Sequence, residues 1–242
     1  MDVKIVLPGS MPPEFELEML SKFKSNLINI IGAIEHVDLS VDSDLNGWGY
    51  SDELVGSCMP AKGSEDVLLG IANLPLEENW YLRKMTGDRA VVTFHEMRGI
   101  LSGHKIPRVN LIFNILYFLS LVFLANKKTV PSVDVLLNMT HDVTRGCLFD
   151  MTGLKMDTIH SCHEPIICVQ CEASLRKKGV AVEAIETCQK EIKKIKKPFF
   201  YILSEKIKNH PIISIALSLF IAFIVGLASS VLGTLISNKL SL

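Results

Sequence analysis

"PIISIALSLFIAFIVGLASSVLGTLI", residues 211–236, carries no charged side chain, and its only polar interruptions are serines and a threonine. A bilayer core needs about 20 apolar residues in helical form, so this run is long enough to span and too long for an ordinary core helix. Read in this way, the chain of 242 residues divides into a folded domain and a membrane anchor. Only residues 237–242 follow the run, so a tail-anchored arrangement is expected. The opening "MDVKIVLPGS" lacks the apolar stretch of a signal peptide.

The flanks of the run set its expected orientation. Lys190, Lys193, Lys194, Lys196, Lys197, Lys206 and Lys208 precede it and only Lys239 follows. Basic residues stay on the cytoplasmic side, which predicts a single-pass protein with its N-terminal domain in the cytoplasm. Six cysteines in that compartment are expected to be reduced or metal-bound rather than disulfide-paired. The lysines read either as a solvated helix face or as a patch drawn to anionic headgroups, at about 1 kcal/mol for each residue near the surface. A net charge of −1 offers no basic footprint for nucleic acid.

Upstream of the anchor, the patterns predict an α/β (α+β) domain. "VKIVL" at 3–7 reads as a buried strand closed by Pro8 and Gly9, and "RAVVTF" at 89–94 as a second. In "PPEFELEMLSKFKSNLINIIGAI", 12–34, Phe15, Leu17, Leu20, Phe23, Leu27 and Ile31 recur at three- and four-residue spacings. That spacing predicts an amphipathic helix opened by Pro12 and Pro13. "EDVLLGIANLPL" at 65–76 reads as a strand or short helix within a glycine-containing polar region.

"NLIFNILYFLSLVFLA", 110–125, is apolar but too short to span, and in hydrocarbon Asn110 and Asn114 would need partners. A buried central helix is therefore expected. Residues 173–197 turn helical, with Leu175, Val180, Val182, Ile185, Ile192 and Ile195 on one face; after Pro198, "FFYILSEKIKNH" reads as an aromatic-rich interfacial helix. The expected divisions are 1–175 for the domain, 176–210 for a charged helical linker and interfacial helix, and 211–236 for the span.

Chemistry concentrates in "HDVTRGCLFD", 141–150, and "ICVQC", 167–171. Cys168 and Cys171 form a C-x-x-C pair, whose tight turn can aim two thiolates at one metal. Cys147 and Asp142 lie upstream, and His141, His160, Cys162 and His163 are near in sequence. Structural zinc, a redox dithiol and ordinary buried thiols all remain open on spacing alone. Cys58 and Cys188 stand apart and read as core residues.

This segment resembles the archaemetzincin-like zinc peptidases. Their motif HExxHxxGxxH is followed by a cysteine, four residues, a second cysteine and later a C-x-x-C pair that completes a structural zinc site. His141 stands where the third histidine would, Asp142 replaces the first cysteine, and "VTRG" supplies the four residues before Cys147. "GLKMD", Cys168, Cys171 and Leu175 follow, and the opening "MDVKIVLPGSMPPEFELEML" is similar to the family's strand, proline turn and first helix.

The departures fall on the chemistry. The first two metal histidines would lie at Pro131 and Val135, and the general-base glutamate at Ser132. Zinc hydrolysis needs three ligands, an open position and a carboxylate, so the resemblance implies a degenerate relative that kept the structural site. "HEMRG" begins like HExxH, but Gly99 replaces the second histidine, and His95 and His104 are too far apart to share an ion.

The expected ligands of a closed, structural zinc site are Asp142, Cys147, Cys168 and Cys171, with His141 or Cys162 as substitutes for Asp142. Such a site contributes folding free energy, on the order of 10 kcal/mol in small modules, rather than catalysis. In the anchor, Ala222, Gly226, Ser230 and Gly233 form a stripe of small side chains that favours close approach of helices and a homo-oligomer.

The expected function is that of a non-catalytic, tail-anchored membrane protein whose zinc-stabilised domain binds a partner or ligand. Prokaryotic defence and toxin systems share this layout of soluble sensor and membrane effector, an analogy of architecture. The alternative is a membrane-tethered zinc metallopeptidase with an unrecognised active site.

Overall fold

The computed structural model describes residues 1–12, 15 and 17–240. They form two compact units, Met1–Lys197 and the segment from Pro198 onward. The first is an α/β domain. Its elements are β1 (Asp2–Pro8), α1 (Leu17–Ser21), β2 (Asn29–Ile30), β3 (Glu35–Val37), α2 (Asp52–Cys58), β4 (Val67–Ala72), β5 (Leu82–Met85), β6 (Arg89–Thr93), α3 (Met97–Gly103), α4 (Val109–Ala125), α5 (Val133–Leu137), α6 (Thr158–Ser161), α7 (Val169–Lys177) and α8 (Val182–Ile192).

The strands make one sheet in the order β2-β1-β4-β6-β5, with β3 also pairing β1. All pairings are parallel except that of β5 with β6. Side chains alternate between the two faces of a strand. Val3, Ile5, Leu7, Leu69, Ile71 and Val92 enter the main core, while Val6, Leu68, Ala72 and Val91 meet Val55 and Met59 on the other face. Because both faces are covered, β4 is buried along its whole length, which is why its sequence runs apolar without alternation.

The main core is closed by α4, the apolar helix that is too short to span a bilayer. Its polar side chains are all engaged internally. Asn110 Nδ2 donates to the carbonyls of Cys162 and Lys196 at 2.9 and 3.2 Å, and Asn114 Nδ2 to that of Ser161 at 2.7 Å. The Tyr117 hydroxyl donates to the buried carboxylate of Glu191 at 2.9 Å. These bonds tie the central helix to the segments that carry the cysteines and to α8.

Two expectations are revised. The helix expected over 12–34 shortens to α1, although Phe15 and Leu20 are buried and Leu17, Phe23 and Leu27 pack partly buried against the core as the pattern required; Pro13 lies outside the described residues. The helix ends at Ser21; beyond it the Ser25 hydroxyl accepts the N–H groups of Leu27 and Ile28 in a turn, and Asn29–Ile30 then pairs along β1. The segment set apart as a linker is also divided. Ile185, Cys188, Ile192 and Ile195 are fully buried, so the domain extends to Lys197. A turn at Gly179, at φ +85°, separates α7 from α8.

The second unit consists of α9 (Phe199–Asn209) and α10 (Pro211–Leu240). Within α10, Pro211–Gly233 is long and apolar enough to cross a membrane.

Candidate metal centre

Three chain segments converge on one point within the main core. His141 lies on an extended crossing, where its N–H donates to the Phe149 carbonyl at 3.0 Å and its carbonyl accepts from Met151 at 2.9 Å. Cys147 follows Gly146, whose φ of +79° turns the loop beneath the His160 carbonyl, where a Cβ would sit 3.2 Å away. Bonds of Leu148 N–H to Ile166 O and Ile166 N–H to Gly146 O, at 2.7 and 3.0 Å, then lay this loop beside the approach to α7. Cys168 caps the N-terminus of α7 and Cys171 occupies its first turn.

Buried Asp150 frames the loop from inside. Its carboxylate takes Arg145 Nη1 at 2.7 Å and the backbone N–H groups of Gly146 and Thr152 at 3.3 and 3.2 Å. That role was not read from the sequence, because it depends on the loop folding back on itself.

His141, Cys147, Cys168 and Cys171 offer ligand atoms that all lie within 4.8 Å of one another. Cys147 Sγ is 3.8 Å from Cys171 Sγ, and Cys168 Sγ is 3.4 Å from His141 Nε2. Zinc binds sulfur at about 2.3 Å and nitrogen at about 2.0 Å, so a tetrahedral ion requires edges of about 3.8 Å between sulfurs and about 3.5 Å between sulfur and nitrogen. The Cys147–Cys171 and Cys168–His141 edges match these values. A sulfur separation of 3.8 Å is far beyond a disulfide bond of about 2.05 Å.

The electrostatics also suit thiolates. Cys147 Sγ accepts the N–H groups of Phe149 and Cys168 at 3.5 Å each, and Cys168 Sγ accepts that of Cys171 at 3.5 Å, with the N-terminal end of α7 adding its partial positive charge. The hydrogen bond shared with Cys171 outweighs burial and, with those backbone donors, lowers the Cys147 thiol below its ordinary range. The same pairing, reinforced by burial, pushes Cys171 up. His141 Nδ1 is buried without a hydrogen bond, so the ring's fixed contact is the one that Nε2 makes with sulfur.

The other residues singled out in the sequence lie elsewhere. Asp142, the preferred fourth ligand, stands outside the group: its carboxylate is 62% exposed and faces Arg145 at 3.7 Å. Successive residues on an extended crossing point to opposite sides, so when His141 turns inward Asp142 turns out. Cys162, the second substitute, is buried apart from the group, and burial raises its thiol to about 12. Cys188 is raised by burial in the same way, while Cys58 is half-buried. His163 Nδ1 accepts the Lys197 N–H at 3.3 Å. Among the described residues, His95, His104 and His160 join no metal-capable group.

A cleft of about 280 Å³ lies between β5, α4 and α5. Trp80, Leu82, Phe118, Val133, Leu137 and Met151 are among its lining side chains. β5 is the last strand of its sheet on this side, and β5 was not foreseen from sequence.

No family model and no curated protein matches the chain. Among solved structures it is similar to the crystal structure of archaemetzincin from Methanopyrus kandleri, at 14% identity and a TM-score of 0.44, over 74% of this chain and 94% of that one. The likeness is one of fold.

Proposed function

We propose that this chain is a membrane-anchored, non-catalytic binding protein whose folded domain is stapled by one structural zinc ion. The observation that carries this reading is the four-donor group. His141, Cys147, Cys168 and Cys171 would fill a tetrahedral shell and leave no position for a water. Zinc bound there supplies folding free energy, and the chain's own residues position the sulfurs through α7, the Gly146 turn and the Asp150 carboxylate.

The binding face is the cleft along β5. Val133 and Leu137 expose 47% and 44% of their surface beside it, more than isolated apolar side chains need. A sheet-edge strand next to an apolar cleft suits an extended partner segment, which gains main-chain hydrogen bonds from the strand and anchors side chains in the cleft. Pro211–Gly233 holds the domain at a membrane.

The test is metal analysis of the full chain in detergent, together with a peptidase assay. About one zinc per chain is expected, with no proteolysis at any zinc level. Two ions, or chelation that abolishes proteolysis while sparing the fold, would make the protein a peptidase instead.

The face formed by Ala222, Gly226, Ser230 and Gly233 would bring copies together within the bilayer. Gly226→Ile should weaken that association by about 1 kcal/mol, roughly fivefold, in a fluorescence-transfer measurement in bilayers. Equal transfer for both chains would remove self-association from the reading.

A further inference from the structure

α9 is an amphipathic helix whose apolar side has no cover. Phe199, Phe200, Leu203 and Ile207 expose 75%, 71%, 43% and 47% of their surfaces. At 100° per residue these four side chains fall within one arc of about 100°, while Tyr201, Glu205, Lys208 and Asn209 take the opposite side. An exposed apolar stripe of this size on a water-soluble helix is costly, so it calls for an apolar partner.

The geometry points to the membrane surface as that partner: we infer that α9 lies in the plane of the bilayer interface, apolar side down. This rests on the reading of α10 as a membrane span. Three observations select this occupant. α9 is followed after a single residue by the apolar helix that begins at Pro211, so any bilayer crossed by α10 meets α9 at once.

His210, at φ −132° and ψ 61°, breaks the helical path between the two and allows one to lie flat while the other crosses. A residue before proline is held out of the helical region, which makes this break a built-in feature. Lys206 sits at the rim of the apolar arc with Lys208 beyond it, and Lys193, Lys194, Lys196 and Lys197 precede α9 in sequence. Cations in those places complement anionic headgroups, and aromatic rings favour the headgroup boundary.

The test uses the full chain in phosphatidylcholine vesicles that contain about one-third phosphatidylserine, a composition that supplies the anionic surface. A photoreactive benzoylphenylalanine replaces Phe199, Leu203, Tyr201 or Ala222, one position at a time, and lipid adducts are read by mass after irradiation. Phe199 and Tyr201 are both aromatic, are two residues apart and lie on opposite sides of α9.

Adducts at 199, 203 and 222, with loss of the adduct at 201, are expected. Adducts at 222 but none at 199 and 203 would overturn the in-plane helix and leave the span intact. Equal adducts at 199 and 201 would also overturn it, because the helix would then be immersed on every side. None at 222 would mean that the span itself fails, and the inference with it.

Discussion

Cys171→Ser lowers the thermal midpoint of the domain by about 15 °C, whereas Asp142→Ala leaves it within about 2 °C of the parent chain. The first figure follows from the size of the metal term. Zinc binding to a four-donor module contributes on the order of 10 kcal/mol to folding, and removing one of four ligands forfeits a large part, about 5 kcal/mol. A domain of this size loses about 3 °C for each kcal/mol, which gives the shift. The carboxylate of Asp142 is largely in solvent at 3.7 Å from Arg145, and an exposed pair of that length contributes about 0.5 kcal/mol or less.

Chelation of the parent chain should reproduce the Cys171→Ser midpoint, and chelation of the variant should add little. Acidification acts in the same direction, because protons compete with the ion for sulfur, so stability is lost as pH falls. His141→Ala is expected to fall between the two variants. The measurement is calorimetric or far-ultraviolet melting in detergent with metal content determined on the same samples. Identical midpoints for parent, chelated parent and Cys171→Ser would remove the staple from the account.

The comparison of Asp142 with His141 also shows where reading from sequence ends. The three cysteines could be grouped from sequence because C-x-x-C at a helix start aims two thiols to one side, and Cys147 lay close enough to join them, although that spacing alone does not separate a metal site from a redox pair. Whether 141 or 142 supplied the fourth donor depended on which side of an extended crossing faced the sulfurs. That choice is made by the pairing of His141 with Phe149 and Met151, a tertiary contact. β1, β6 and α4 were legible because burial on both faces leaves continuous apolar runs.

β5 was not legible, since "LRKM" mixes charge with apolar residues as an edge strand does; the nearest signal was the Gly87 turn, at φ +69°, between it and β6. The long helix expected over 12–34 failed for a different reason. Apolar spacing was correct for burial, but Ser25 and Asn26 are held by a carboxylate more than 160 positions later, and local periodicity carries no information about such a partner.

That carboxylate is the basis of the second large effect: Glu191→Ala costs about 4 kcal/mol and lowers the midpoint by about 12 °C without changing metal content. Glu191 is only 6% exposed and accepts four hydrogen bonds. Ser25 Oγ and the Tyr117 hydroxyl approach one oxygen at 2.6 and 2.9 Å, and the Asn26 backbone N–H and side-chain amide approach the other at 2.9 and 3.0 Å. Truncation leaves the buried Tyr117 hydroxyl and the half-buried Ser25 hydroxyl without that acceptor, at about 1–3 kcal/mol each unless water enters, while the exposed Asn26 turns to solvent.

The same change frees the turn at 25–28 from α8 and α4, so protease cleavage should appear there first. Glu191→Gln separates loss of charge from loss of shape. Its amide oxygen can face Asn26, and its amino group can donate to Ser25 and Tyr117, whose hydroxyls rotate to accept. The glutamine chain should therefore lose less than half as much as the alanine chain. If the two variants melted together, the hydrogen-bond geometry would not be what holds this turn, and simple burial of the α8 face would have to account for it.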